Sequence, residues 1–573
     1  MTFRAPEPTP SLPASSLERR GFLGYFSALG LGGTLFPGVL WARAQERGEV
    51  TIGMVAEAEK IAGLEFSEAE REMMVRGLDG NLRAYRELRE QPIPNGVSPA
   101  LRFDANLPGT SPPLEQRPFR PSRPVDVLRP DRLEDVAFWP VTRISELVRT
   151  RQVTSVELTE MYLDRLERHG PLLEAVISLT PELAVEQARR ADREIAHGRY
   201  RGPLHGIPWG AKDLLAARGY RTTWGAKPFE SQVLDESATV VRRLEDAGAV
   251  LVAKLTLGAL AMGDFWFGGQ TRNPWNLEQG SSGSSAGSAA ATVAGLVGFA
   301  IGSETLGSIV SPSTRTGATG LRPTFGRVSR HGAMALSWTM DKLGPLCRGV
   351  EDCALVLRHI HGADGLDPTA RTVPFNWDAR RPLSDLRIGY FRRGFEGERV
   401  SDFDVAALEV IRGLGVEVTP VDLPDDFPLN AMRIILSAEA AAAFDDLTRS
   451  DRDDLLVRQT AGSWPNSFRT ARFIPAVEYI QANRVRTMVM GALDAALDGV
   501  DVFVTPSFGP DVLLMTNLTG HPAVVLPNGF NEDGSPVSIS FIGGLWKDAE
   551  ALRVAMAYQD ATGFHERHPE AFR

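Results

Sequence analysis

Three short stretches of the chain carry residue types that could do nucleophilic chemistry. "GPLHGIPWGAKDL" brings Lys212 to the end of an apolar run, "QGSSGSSAGSAAATVAG" sets Ser284 in a Gly/Ser turn, and "IGSETLGSIVSP" sets Ser308 in a second Gly-rich turn. A serine hydroxyl is a poor nucleophile near neutral pH and needs an adjacent base. A lysine can be that base only when its amine is neutral, and burial lowers its pKa by disfavouring the ammonium. Attack on an amide carbonyl builds an oxyanion, which needs preorganised donors. Small residues suit such loops because they let backbone approach a substrate closely. Each residue alone is a weak signal: most serines are solvated turn residues, and Lys212 beside Asp213 reads by itself as a surface lysine. Their order along one chain gives them weight.

Two other readings of residues 279–295 fail on its flanks. A flexible linker would lead into more disorder, whereas this stretch runs into small residues that pack closely and then an apolar, strand-like run. A phosphate cradle would need a lysine or a helix N-terminus behind a Gly-rich turn; "GSSGSSAGS" has no lysine and fits no Walker or dinucleotide fingerprint. His205 invites a conventional triad, but a Ser–Lys arrangement does not need histidine, and a structural histidine is commoner. No His/Asp/Glu cluster has metal-ligand spacing, so neither metal nor cofactor is expected.

The elements that must position these residues alternate from about residue 136. "VTSVELTEMYLDRLERHG" has Thr154 and Glu157 as a capping box, and "TPELAVEQARRADREIAHG" has Thr180 as cap, Pro181 in the first turn and Gly198 at the end. Short apolar runs, "GAVLVAKL" and "GVDVFVTPS", read as buried strands. Helices interleaved with buried strands imply a layered α/β domain whose sheet is covered on both faces. Upstream, residues 45 to about 95 read as helical, with Ser67 as a cap and Glu70 three residues on. Residues 96–135, including "RPFRPSRP", read as a Pro-stiffened connector.

The three stretches resemble the amidase signature family, whose pattern joins a lysine, a Gly-Gly-Ser-Ser-Gly-Gly-Ser loop and a Gly-Gly-Ser nucleophile turn. The resemblance covers roughly residues 136–570 and takes in "NPWNL", "GLRPTFGRVSRHG", "TGHPAVVLPNGF" and "ISFIGGLWKDAEALRVAMAYQ". It implies a three-layer α/β/α fold with a central mixed sheet flanked by helices. It also implies a Ser-Ser-Lys triad: Lys212 as the catalytic lysine, Ser284 as the bridging serine that the family holds in a cis peptide, and Ser308 as the nucleophile. Backbone N–H groups of Thr305, Leu306, Gly307 and Ser308 would form the oxyanion hole. The implied activity is hydrolysis of a carboxylic amide through a Ser308 acyl-enzyme, with esters and carbamates open to the same chemistry. Two alternatives stand beside it: an amidotransferase A-type subunit releasing ammonia from glutamine, and a catalytically impaired amide-binding protein.

The chain departs from the family's Asp-Thr-Gly-Gly-Ser-Ile-Arg turn at three places, with Glu304 for Asp, Leu306 for Gly and Val310 for Arg; Ala286 replaces a Gly in the first loop. Val310 removes a partner for the Glu304 charge, and Arg315 is close enough in sequence to replace it. Leu306 either narrows the pocket or restrains a φ angle that glycine could adopt. Met262, Phe265, Trp266 and Trp338 are candidates for an apolar substrate pocket, with ordinary core packing as their other reading.

Composition sets the remaining expectations. The 573 residues are 43% hydrophobic and 23% charged, as in an ordinary globular chain. A formal net charge of −10 argues against a nucleic-acid partner held by bulk electrostatics. The two cysteines, Cys347 and Cys353, make no zinc site, and either a disulfide or two buried thiols would fit. Arg19 and Arg20 precede a long apolar run and an "ARA" ending at Ala44, the layout of a twin-arginine export signal. The expected division is therefore a signal peptide over 1–44, a helical and Pro-rich extension over 45–135, and a catalytic domain over 136–573. The expected protein is exported, has no integral membrane span after signal cleavage, and acts on a small-molecule amide. A homodimer is left open.

Overall fold

In the computed structural model the described residues are 50–62, 64–89, 95, 101–123, 126–396 and 400–573. The chain divides into two compact units between Pro94 and Asn95. The expected signal over 1–44 lies outside the described residues. In the smaller unit, helices Ile52–Ala62 and Glu68–Arg89 form where helix was expected. Ser67 N donates to Glu70 Oε2 at 2.7 Å and Glu70 N to Ser67 Oγ at 3.4 Å, which satisfies two otherwise unpaired helix-start donors.

The larger unit is built on strands β1 (Val176–Leu179), β2 (Pro208–Lys212), β3 (Val250–Leu255), β4 (Phe265–Trp266), β5 (Gly269–Gln270), β6 (Arg272–Asn273), β7 (Asn276–Gly280), β8 (Phe299–Glu304), β9 (Thr319–Arg322) and β10 (Lys342–Cys347). They are followed by β11 (Ile388–Phe391), β12 (Val418–Val421), β13 (Val502–Pro506), β14 (Ala523–Phe530) and β15 (Pro536–Gly543). Eleven of them form one sheet in the order β1-β3-β2-β8-β10-β9-β14-β15-β13-β11-β12. β2 runs parallel to β3 and β8, while β10 is antiparallel to β8 and β9, so the sheet is mixed, as expected.

Side chains alternate across this sheet with the period of two that a strand imposes. Phe299 and Ile301 of β8 face one apolar cluster and Ala300 the other; Leu251 of β3 faces the first, Val250 and Val252 the second. Helices Thr239–Asp246, Val350–Ile360 and Asp548–Thr562 supply the first cluster. Helices Ser155–Leu173, Pro181–Ala196 and Ala286–Val293 supply the second. Both faces are therefore covered, which is the expected three-layer arrangement.

The Thr154–Glu157 capping box forms with both reciprocal bonds. Thr180 occupies the N-cap position, but its hydroxyl donates to Leu251 O at 2.7 Å instead of capping, because the helix start abuts β3. Residues 101–123 take no regular element and are pinned to the larger unit: Arg120 N donates to Trp377 O at 2.8 Å and Ser122 N to Glu351 Oε1 at 2.7 Å. Cys347 and Cys353 are buried free thiols. Among the described residues no helix is long and apolar enough to cross a membrane.

Candidate active site

β2 is buried along its whole length and ends on Lys212. Alternation carries the lysine stem into the interior, where Lys212 Nζ lies 2.8 Å from Ser284 Oγ, 3.0 Å from Ser285 Oγ and 2.9 Å from Ser303 Oγ. Burial pushes the Lys212 ammonium well below the usual lysine range, with the Asp341 and Glu304 charges pulling the other way.

The Gly/Ser stretch folds as the hairpin strand β7, a short loop and the helix Ala286–Val293, which is buried throughout. The loop contains a cis peptide bond between Gly283 and Ser284. Small residues are required by contact: a Cβ on Gly287 would come within 2.5 Å of Thr256 Oγ1, and one on Gly302 within 2.7 Å of Ser285 Oγ. Gly302 on β8 therefore leaves the space that Ser285 occupies. Ser285 Oγ donates to Ser303 O at 3.0 Å and accepts from Ser303 N at 3.1 Å.

Ser308 follows β8 in a turn that leads into the helix Val310–Thr316. It is half-buried, and its carbonyl accepts from Ser285 N at 3.1 Å, which lays the two serine loops side by side. Gly307 adopts φ of 82°, a left-handed conformation that glycine takes without strain. Among the described residues, the backbone N–H groups of Leu306, Gly307 and Ser308 have no protein acceptor. Preorganised donors left free in a half-buried turn are what an oxyanion requires.

Glu304 does not pair with Arg315. Arg315 Nη1 instead donates to Gln279 Oε1 at 3.2 Å, because the helix after Ser308 turns that side chain outward. The partner is Arg322 on β9, with Nη1 2.8 Å from Glu304 Oε1 and both side chains fully buried. Asn517 Nδ2 donates to the same oxygen at 2.8 Å, and the N–H groups of Ile309 and Val310 donate to Oε2 at 2.8 and 3.0 Å. Burial alone would raise the Glu304 carboxyl, but Arg322 and these donors hold it at about 2.

The two segments that carry the candidate pocket residues are hydrogen-bonded to the serine loop and to the turn before Ser308. Asp264 Oδ2 accepts from Ser282 N at 2.9 Å, which ties the β4–β5 hairpin and its Phe265 and Trp266 to the serine loop. Phe265 is exposed beneath the Arg458 guanidinium, 5.1 Å from its ring centroid, and Trp266 packs edge-on against Phe267. Met262 is half-buried at the start of this segment. On the other side, Trp338 lies in the 336–341 turn, whose Asp341 accepts from Thr305 Oγ1 at 2.6 Å. His205 lies apart, with Nε2 3.3 Å from Glu194; burial lowers it to about 4.

Ser285, Ser303 and Arg322 lie inside stretches already singled out, "QGSSGSSAGSAAATVAG", "IGSETLGSIVSP" and "GLRPTFGRVSRHG", but sequence reasoning gave none of them a role at the site. A count of hydroxyls around a buried amine could have found Ser285 and Ser303. Asp341 lies outside every such stretch, and nothing local distinguishes it.

The family profile described as Amidase matches residues 157–513. The chain is 34% identical over 487 residues to the A subunit of the glutamyl-tRNA(Gln) amidotransferase of Moorella thermoacetica, covering 76% of this chain and 99% of that one. It is 37% identical over 474 residues to the protein of the same name from a Roseiflexus species, covering 74% and 96%. The solved native peptide amidase of Stenotrophomonas maltophilia is similar at 32% identity and a TM-score of 0.69, over 76% of this chain and 99% of that one. The profile covers more than half of the chain and these relatives nearly their whole length, so the chain belongs to the amidase family.

Proposed function

We propose that the chain hydrolyses a carboxylic amide through an acyl-enzyme on Ser308, with Ser284 and Lys212 as its proton relay. The observation that carries this reading is the buried Lys212 amine, held within 3.0 Å of three serine hydroxyls beside the Ser308 turn. A neutral amine has two N–H groups and one lone pair. The Ser285 proton is committed to Ser303 O, so Ser285 Oγ accepts from Lys212, and Ser303 Oγ takes the second N–H. The lone pair then faces the Ser284 hydroxyl, as a base must.

Lys212 takes the Ser284 proton while Ser284 takes that of Ser308, and Ser308 Oγ adds to the carbonyl carbon. The oxyanion binds the free N–H groups of the turn Thr305–Ser308. Collapse breaks the C–N bond, and the relayed proton leaves on the amine. Water attacks the ester and loses its proton to the same pair, which returns it to Ser308. Esters and carbamates can follow this route because their leaving groups depart more easily. Met262, Phe265, Trp266 and Trp338 flank the centre and supply apolar contact to the substrate.

A second reading, an amidotransferase A-type subunit, is favoured by the names of the curated relatives. The twin-arginine layout around Arg19 and Arg20 opposes it, since we read that layout as export of the folded enzyme from the cytoplasm, where charged tRNA resides. The test is release of ammonia or amine from a panel of primary amides, anilides, esters and carbamates, run beside Ser308→Ala. Release that vanishes in Ser308→Ala is expected. Undiminished release in that variant would overturn the assignment. Co-purification of the native protein with other subunits would move the reading to the amidotransferase.

A further inference from the structure

The oxyanion turn is tethered from outside by a carboxylate that takes no part in the proton relay. Thr305 Oγ1 donates to Asp341 Oδ1 at 2.6 Å, and Asp341 Oδ2 accepts the N–H groups of Leu336 and Ser337, each at 2.9 Å. Hydrogen bonds to an ionised acceptor are short and roughly twice as strong as neutral ones. Asp341 thus closes the 336–341 turn on one side and grips the first residue of the oxyanion turn on the other.

That same turn is held from behind. Glu439, on the helix Ile434–Ala443, accepts from Ser337 Oγ at 2.6 Å, Thr339 N at 3.1 Å and Thr339 Oγ1 at 2.8 Å. Tyr479 Oη donates to Glu439 Oε1 at 2.8 Å, and Arg486 donates to Thr339 Oγ1 at 2.9 Å and Thr339 O at 2.8 Å. Tyr479 and Arg486 lie on the helix Ala476–Ala496. Ser337, Asp341, Glu439 and Arg486 are all buried.

We propose that Asp341 is a positioning residue, fixing through Thr305 the direction of the free backbone donors at Leu306 and Gly307, with Glu439 bracing it from the helices 434–496. The proposal rests on the reading of Ser308 as nucleophile. Because the Leu306 and Gly307 N–H groups have no protein acceptor, their direction depends on what holds the two ends of the turn, beside the packing of the Leu306 side chain. Ser285 N and Glu304 hold the Ser308 end. Asp341 holds the Thr305 end. Loss of that tether leaves the serine relay intact and loosens the donors, and small misplacements in an active site are costly in rate.

The experiment is labelling by a fluorophosphonate probe, whose attack by serine also builds charge at the oxyanion site. The saturating rate and the apparent probe affinity would be measured for wild type, Asp341→Asn, Thr305→Val, the double variant and Thr305→Ser, with the labelled peptide mapped. The saturating rate should fall on the order of 10- to 100-fold in each single variant with probe affinity within about threefold. The double variant should be no slower than the slower single one, since both cut one tether. Thr305→Ser, which restores the donor, should recover most of the loss. Lys212 is faced by the charges of Asp341 and Glu304; burial raises the Asp341 carboxyl, Arg330 and its hydrogen bonds pull it back down, and Lys342 faces it as well. Removing the Asp341 charge should therefore also move the labelling profile of Asp341→Asn toward lower pH, which mere loss of packing would not do. A Thr305→Val rate equal to wild type, or losses that multiply in the double variant, would overturn the proposal. Wild-type label mapped away from Ser308 would instead overturn the nucleophile assignment beneath it. If Asp341→Asn fails to fold, Thr305→Val beside Thr305→Ser decides.

Discussion

Glu304 and Arg322 are paired in the interior at 2.8 Å with neither side chain exposed, and the other Glu304 oxygen accepts the N–H groups of Ile309 and Val310. Those two residues directly follow Ser308. The pair is therefore a strut: β9 holds Arg322, Arg322 holds Glu304, and Glu304 holds the backbone that follows Ser308. The Glu304 charge is thus met by an arginine on β9, with Val310 giving only its backbone N–H.

Arg322→Met should destabilise the fold by about 3–5 kcal/mol, because it leaves a buried carboxylate without its cation. Thermal or denaturant unfolding measures this. The Glu304 carboxyl is depressed to about 2 from an ordinary 4.5. Its contribution is thus fully present above about pH 4.5 and is lost as pH falls toward 2, and is worth on the order of 3 kcal/mol. Acid unfolding followed by circular dichroism should begin at higher pH in Arg322→Met than in wild type.

The pH dependence of kcat/KM should report the Lys212 amine. With its pKa held below the usual lysine range by burial, the neutral base is present at lower pH than for an exposed lysine. Activity should rise with pH through that depressed value and then level. Lys212→Arg should lose on the order of 10²- to 10⁴-fold in kcat, since arginine stays protonated and cannot act as the base. An arginine variant that kept its rate would remove lysine from the relay.

Leu306 packs, half-buried, against the cluster that contains Met340, Met432 and Ile435. Leu306→Gly should open the space beside the nucleophile and raise kcat/KM for bulky acyl groups relative to acetyl by about 10-fold or more. It should cost about 1–3 kcal/mol of stability through lost apolar burial and added backbone freedom. A series of acyl chain lengths on one leaving group checks the first part, and denaturant unfolding the second.

Asp213 and Lys254 form a second fully buried pair, 2.6 Å apart, immediately after Lys212. Asp213 Oδ2 also accepts from Thr223 N at 2.7 Å and Thr223 Oγ1 at 2.5 Å. Asp213→Ala should cost about 3–5 kcal/mol, and Asp213→Ala with Lys254→Met should recover part of it, because the uncompensated charge is then gone. A double-mutant cycle of unfolding free energies would show this coupling.

Sequence signals are legible here where the physics is local. The Thr154 and Ser67 boxes, the buried strands at β3 and β13, and the small residues of 280–290 all depend on neighbours a few positions away. The Lys212, Ser284 and Ser308 stretches are legible as an ordered set, and the fold draws Lys212 and Ser284 to 2.8 Å. Partner choice across the sheet is not legible. Arg315 is nearer to Glu304 in sequence than Arg322, but helix periodicity turns Arg315 out toward Gln279 while strand order sets Arg322 beside Glu304. Asp341 and Glu439 are hidden in the sequence for the same reason, since only tertiary packing brings residues from three separate segments onto one turn.

Activation of Ser308 as a nucleophile by a neutral Lys212 is tested by fluorophosphonate labelling of the purified protein, wild type beside Lys212→Ala and Ser308→Ala, with intact mass and peptide mapping. A single adduct at Ser308 is expected, absent in Ser308→Ala and formed far more slowly in Lys212→Ala. A folded wild-type protein that takes no label, or labelling at Ser308 that is indifferent to Lys212, would contradict it.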